Sequence, residues 1–176
     1  MAMDIFMQIM WFATGIAILV AGVFANRSRL ARYVGRVALF VLFAIAGALM
    51  HFIALVSGLE KTDFYVTFAD TAHFDWVTDA WRAVFVPNQA LFVGLLAVFE
   101  LIVGVLIISG GRRTQIGLMG AIGFHLALWL FGGIQLAWTI VMVPFLVLLL
   151  RGERRAAAMP TSGGPSADQT TITAQV

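Results

Sequence analysis

Apolar residues run in five long stretches separated by short polar segments. That pattern predicts an all-α, polytopic transmembrane helical bundle. The first stretch, residues 5–25 (IFMQIMWFATGIAILVAGVFA), is about the length that crosses hydrocarbon. The second covers about 37–58, and the third about 87–109, opening on Pro87, whose missing N–H is tolerated in a first helical turn. Residues 115–150 would extend about 54 Å as one helix, well beyond a hydrocarbon core of about 30 Å. Gly132-Gly133 is the natural reversal, flanked by Trp129 and Trp138, so this stretch reads as two short spans, about 115–131 and 134–150.

The polar segments differ in kind. Residues 59–86 form the one substantial loop, with Glu60, Asp63, Asp70, Asp75 and Asp79 against Lys61 and Arg82. Its aromatics, among them Phe64, Tyr65, Phe68 and Trp76, suit a partly helical segment at the headgroup level outside the cytoplasm. His73 and Asp75 have no further ligand at metal-site spacing and read as solvated loop. From Gly152 onward the chain turns to Pro, Ser, Thr, Gly and Ala, so 152–176 is expected to be a disordered cytoplasmic tail after a 1–151 membrane unit.

Composition sharpens this picture. Apolar residues make up 61% and charged residues 11% of the 176 positions. Soluble domains average roughly 45–50% and 25%. So few charges do not cover the surface of a water-soluble fold this size, and the lipid bilayer is the expected solvent. There is no cysteine, which excludes disulfides, thiolate metal sites and thiol relays of the CxxC type.

The arginines set the orientation. Arg27, Arg29, Arg32 and Arg36 follow the first stretch, Arg112 and Arg113 the third, and Arg151, Arg154 and Arg155 the fifth. Placing all three clusters in the cytoplasm needs an even number of crossings between them. Five spans result, with the N-terminus outside, the C-terminus inside, and nine of the eleven Lys and Arg residues cytoplasmic. On this reading the clusters are topology anchors, and nucleic acid is not a partner. A cleaved signal peptide competes for the first stretch, but Asp4 precedes it where a basic region is needed. Ala13, Ala17, Ala21 and Ala25 recur every fourth residue, a small-residue stripe that admits a close helix neighbour.

Three ionisable residues lie deep inside predicted spans: His51, Glu100 and His125. Buried charge is costly in lipid, so such groups face the bundle interior. Each shares a helix face with small residues: Ala97 and Gly104 beside Glu100, Gly117 and Ala121 beside His125, Gly47 and Gly58 beside His51. Counting from span centres puts all three within roughly 8 Å of one layer. Spans three and four are joined by a tight turn, so Glu100 and His125 are expected to be able to meet. Three roles stay open for the cluster: fixing helix register, serving a quinone headgroup or proton relay, or supplying two histidine ligands to a b-type haem.

The segment AVFELIVGVLIISGGRRTQIG resembles the DoxX-like family of small bacterial membrane proteins. The shared pattern is a membrane glutamate, a glycine four residues on, and an apolar stretch ending in Gly and Arg at a cytoplasmic turn; Glu100, Gly104, Gly110 and Arg112 match it. AGALMHFIALVSGLEK is similar to that family's first helix. The resemblance covers about 37–150 and leaves the first span as an extra N-terminal helix on a four-helix core. It implies a protein of the bacterial inner membrane, an accessory or anchoring subunit beside another membrane or redox subunit, near quinone-linked chemistry such as thiosulfate:quinone oxidoreduction. No independent catalytic centre is visible in the chain. A small proton-coupled transporter using Glu100, His51 and His125 is the alternative from another class, and a b-haem electron carrier a third.

Overall fold

Helices make up nearly all of the described residues, and their boundaries reflect local chemistry more than hydropathy. The computed structural model describes residues 2–59 and 63–159; Glu60, Lys61 and the expected tail from 160 onward lie outside the described residues. Helix α1 spans Ala2–Phe24. Helix α2 runs Arg29–Val56 and starts well before the expected residue 37. Ser28 explains the difference: its Oγ accepts from the Ala31 amide at 3.1 Å, capping the first turn. Over Val41–Leu49 the helix widens into π-helical turns.

A short helix α3, Asp63–Val66, comes next. Helix α4 then runs Asp75–Ile108, so the second half of the segment expected to be loop is helical. It is not one regular rod: Trp81–Phe85 is π-helical and Val86–Asn88 is a 3-10 turn. Pro87 has no amide hydrogen to give, and Asn88 adds a side-chain bond from Nδ2 to the Val84 carbonyl at 2.9 Å. Helix α5 spans Gly111–Phe131 and α6 Gly133–Ala158. The two reversals between α4, α5 and α6 use Gly110-Gly111 and Gly132-Gly133, all four at positive φ. Thr114 clamps the first of them, accepting from the Gly110 amide at 2.9 Å and donating to the Ile107 carbonyl at 2.8 Å.

Helices α2, α4, α5 and α6 are long and apolar enough to cross a membrane, and α1 adds a shorter apolar stretch, Trp11–Phe24. Large apolar side chains that water would drive inward stand exposed on the outer faces: Phe12, Ile16, Phe52, Leu95, Leu101 and Ile140. Such a belt is what lipid solvates.

Small residues set the helix spacing. A Cβ on Gly152 would sit 2.8 Å from the Ala25 carbonyl oxygen, and one on Gly22 2.8 Å from that of Phe145. Gly35 meets Ala21, and Gly104 meets Ala44. Ala21 and Ala25 of the α1 stripe therefore pack inside the chain, against Gly35 and Gly152, with Gly22 beside them on Phe145; Ala17 is half-buried and Ala13 exposed.

The arginine clusters gather at one end. Arg36 Nε lies 3.7 Å from Glu153 Oε1, and its guanidinium lies beside the Gly110 turn. Arg32 donates to the Ala25 carbonyl at 2.9 Å, and Arg154 contacts the Met119 sulfur. Helix α6 continues through this end to Ala158, with Gly152 and Glu153 buried, so the expected boundary at 151 falls inside a helix. Arg27, Arg29, Arg112, Arg113, Arg151 and Arg155 are exposed. Residues 63–85 fold over the opposite end and are tied to the second reversal: the His73 amide donates to the Leu130 carbonyl at 3.1 Å, and Thr71 Oγ1 to that of Phe131 at 3.0 Å.

Candidate functional site

Between the reversal at Gly132-Gly133 and the middle of the bundle the helices part around a cavity of about 600 Å³. More than half of the lining residues are aromatic. Phe43 and Phe124 form part of its wall, Trp11 and Trp138 stack across one side at 3.9 Å, and Phe64, Phe68 and Trp81 roof it from the folded-over segment. This segment is a lid: Trp81 stacks on Phe85 at 3.7 Å, Phe68 packs against Phe131 at 4.9 Å, and the Trp81 indole donates to the Tyr65 carbonyl at 2.8 Å.

All three residues singled out from the sequence reach this cavity, by different routes. Glu100 sits on α4, 6% exposed. Its carboxylate is held against Gly47, where a Cβ would come within 2.6 Å of Cδ and Oε2. Only a glycine leaves that space, and it stands in the π-helical part of α2, a local geometry that often accompanies functional positions. Four residues on, His51 Nε2 lies 3.6 Å from Glu100 Oε2. That is ion-pair range but longer than a hydrogen bond, and among the described residues Oε2 has no hydrogen-bond partner.

The other ring nitrogen of His51, Nδ1, is hydrogen-bonded to the Tyr65 hydroxyl at 3.1 Å. With Nδ1–H donating to the Tyr65 oxygen, the Nε2 lone pair faces Glu100; with the Tyr65 O–H donating to Nδ1, Nε2 carries the hydrogen instead. Tyr65, His51 and Glu100 thus form a row from the lid into the bundle interior.

His125 faces the cavity from α5 but is bonded elsewhere. Its Nδ1–H donates to the Ala121 carbonyl at 2.8 Å, and its Nε2 accepts from the Trp138 indole at 3.2 Å. Thr139 donates to the His125 carbonyl at 2.7 Å, locking α6 to α5 at this level. The expected meeting of Glu100 with His125 does not occur, and His51 takes the place beside the carboxylate. Counting outward from the Gly110-Gly111 turn gives the reason. Ala121 comes opposite Glu100, and His125 stands four residues, or about 6 Å, further along.

The same count about Gly132-Gly133 puts residue 140 opposite His125, so Trp138, which the sequence showed only as flanking the reversal, falls two residues short and bonds His125 through the reach of its indole. Tyr65 had no such signal, because its position depends on how the lid folds back. His73 packs against Trp129 at the outer edge, and Asp75 is exposed at the start of α4.

Bis-histidine haem ligation does not fit this arrangement. Both ring nitrogens of His125 are bonded within the protein, and those of His51 face Tyr65 and Glu100. What the geometry offers is a hydrophobic chamber, one carboxyl group with an unpartnered oxygen, and an imidazole and a phenol able to pass a proton to it. No family model, curated protein or solved structure matches the chain.

Proposed function

We propose that this chain is a multi-pass membrane protein that takes a small lipophilic ligand into the aromatic cavity and exchanges a proton with it through Glu100 and His51. The observation that carries this reading is the cavity itself: about 600 Å³, aromatic on most sides, with a buried, unpartnered carboxylate oxygen at its inner wall. Sites for small organic ligands have this build, a largely apolar chamber of roughly 300–1,000 Å³ with a few placed polar groups.

A quinone headgroup is the ligand that the DoxX-like resemblance implies. On that reading the chain is an accessory or anchoring subunit of the bacterial cytoplasmic membrane, with electrons supplied by a partner and protons by the Tyr65–His51–Glu100 row. That row is the specific support for it, since quinone reduction consumes protons where the ring binds. Proton-coupled transport draws on the same groups.

Five crossings, N-terminus outside and arginine end in the cytoplasm, complete the proposal. The gathering of three arginine clusters opposite the lid supports it.

Two experiments test the proposal. In nanodiscs, a short-chain ubiquinone or another lipophilic probe is expected to quench the tryptophans lining the cavity, and Ala46→Phe, which fills the chamber, to abolish the effect. Quenching that survives Ala46→Phe places the ligand elsewhere. Because the chain has no cysteine, Trp76→Cys and Arg155→Cys can be labelled in intact cells with an impermeant maleimide. Labelling of the first alone is expected; labelling of both removes the five-span topology.

A further inference from the structure

We propose that the ligand of this cavity is a lipophilic organic cation, and that its binding displaces the proton of Glu100. The inference rests on the cavity reading above and names the class of molecule. Three observations carry it. The wall is built largely of aromatic side chains, including the stacked Trp11–Trp138 pair and Phe43, Phe124, Phe68 and Trp81; aromatic rings attract cations seated on them through their quadrupoles, the more so away from water. Among the described residues the cavity holds one carboxyl group, Glu100, which is 6% exposed, with Oε2 free of any hydrogen bond. Finally, the lining offers little to an anion. Among the described residues its other titratable groups are His51 from α2, His125 from α5 and Tyr65 from the lid; His51 and Tyr65 bond each other, His125 gives its Nδ1 hydrogen to the Ala121 carbonyl, and the lining carries no Lys or Arg.

Charge balance gives the mechanism. An ionised carboxylate alone in lipid is costly, and so is a lone cation. With Glu100 protonated, the empty chamber is neutral. As the cation seats among the rings, the Glu100 O–H bond breaks and its proton passes to the His51 Nε2 lone pair; the Nδ1 hydrogen passes to the Tyr65 oxygen, the Tyr65 hydroxyl hydrogen leaves toward the lid, and the carboxylate pairs with the ligand. One proton is released per cation bound, and the chamber stays neutral. His51 hands the proton on without keeping it, because an imidazolium 3.6 Å from the carboxylate would compete with the ligand for it.

Tetraphenylphosphonium and tetraphenylborate have nearly one shape and opposite charge, so the pair isolates the sign. Purified full-length protein in detergent is titrated with each, following tryptophan quenching and, in weak buffer, proton release. Tetraphenylphosphonium is expected to bind with about one proton released, and tetraphenylborate at least tenfold more weakly, as expected for loss of a charge-assisted contact. Glu100→Gln is expected to lose at least about tenfold in cation affinity and all proton release. Glu100→Asp, which keeps the carboxyl, should retain release and serves as the control should the Gln variant fold poorly. Equal binding of the two ions, or cation binding without proton release in the wild type, overturns the proposal. Binding of ubiquinone but neither ion overturns the cation and leaves the cavity reading standing; binding of none of the probes removes both.

Discussion

The two halves of this bundle are made from the same helices and packed on opposite terms. At the arginine end, glycine and alanine bring backbones together: Gly152 on Ala25, Gly22 on Phe145, Gly35 on Ala21. At the lid end, aromatic rings hold the helices apart around about 600 Å³ of space. Lipid tails give no hydrophobic reward for helix association, so close van der Waals contact must hold the bundle. The lesson is that one half supplies the stability that lets the other stay open. Substitutions at the first end should therefore act on folding, and those at the second on binding.

The strongest way to break this division is at Gly152. A valine there meets the backbone of Ala25, which has nowhere to go, and is expected to cost about 3 kcal/mol, read as a large drop in the detergent melting temperature. Next is the Arg36–Glu153 pair, with side chains 21% and 10% exposed. Arg36→Met alone leaves a buried carboxylate and is expected to cost about 2 kcal/mol, while adding Glu153→Leu should restore much of it; a double-mutant cycle on the melting temperature decides.

At the open end the expected pattern inverts. Gly47→Ala pushes on the flexible end of Glu100, so stability should change by less than about 1 kcal/mol. Ligand affinity should fall about tenfold as the carboxyl is displaced, a loss of about 1.4 kcal/mol. A Gly47→Ala protein that melts early but binds normally would erase the distinction between the halves. Smallest is Tyr65→Phe, which deletes the hydroxyl bonded to His51. About 1 kcal/mol of lid closure is expected to go, seen as faster hydrogen exchange over residues 63–85 with an unchanged melting temperature.

Much of the helical frame was legible in the sequence, because lipid imposes a simple rule on apolar length. The reversals at Gly110-Gly111 and Gly132-Gly133, and the burial of Glu100 and His125, came from that rule and from helix faces. What was not legible depended on side-chain reach and non-local contact. Ser28 starts α2 early by capping it, the helix that opens at Asp75 in the partly helical segment runs on into the expected third span, and α6 continues past Arg151 because Gly152 packs on Ala25 and Glu153 pairs with Arg36. The pairing of Glu100 with His51 turns on a vacancy at Gly47 that hydropathy does not encode.

The widened winding of α2 over Val41–Leu49 has a consequence for how this protein tolerates change. An ordinary α-helix rotates about 100° per residue, and a looser stretch sets the residues beyond it at a different azimuth. Deleting one residue within it would let regular winding resume, leaving Arg36 on Glu153 while swinging His51 away from Glu100. Every side chain of the site would survive, yet the site would be undone by rotation alone. Insertions and deletions there are thus expected to be far rarer among functional descendants than substitutions.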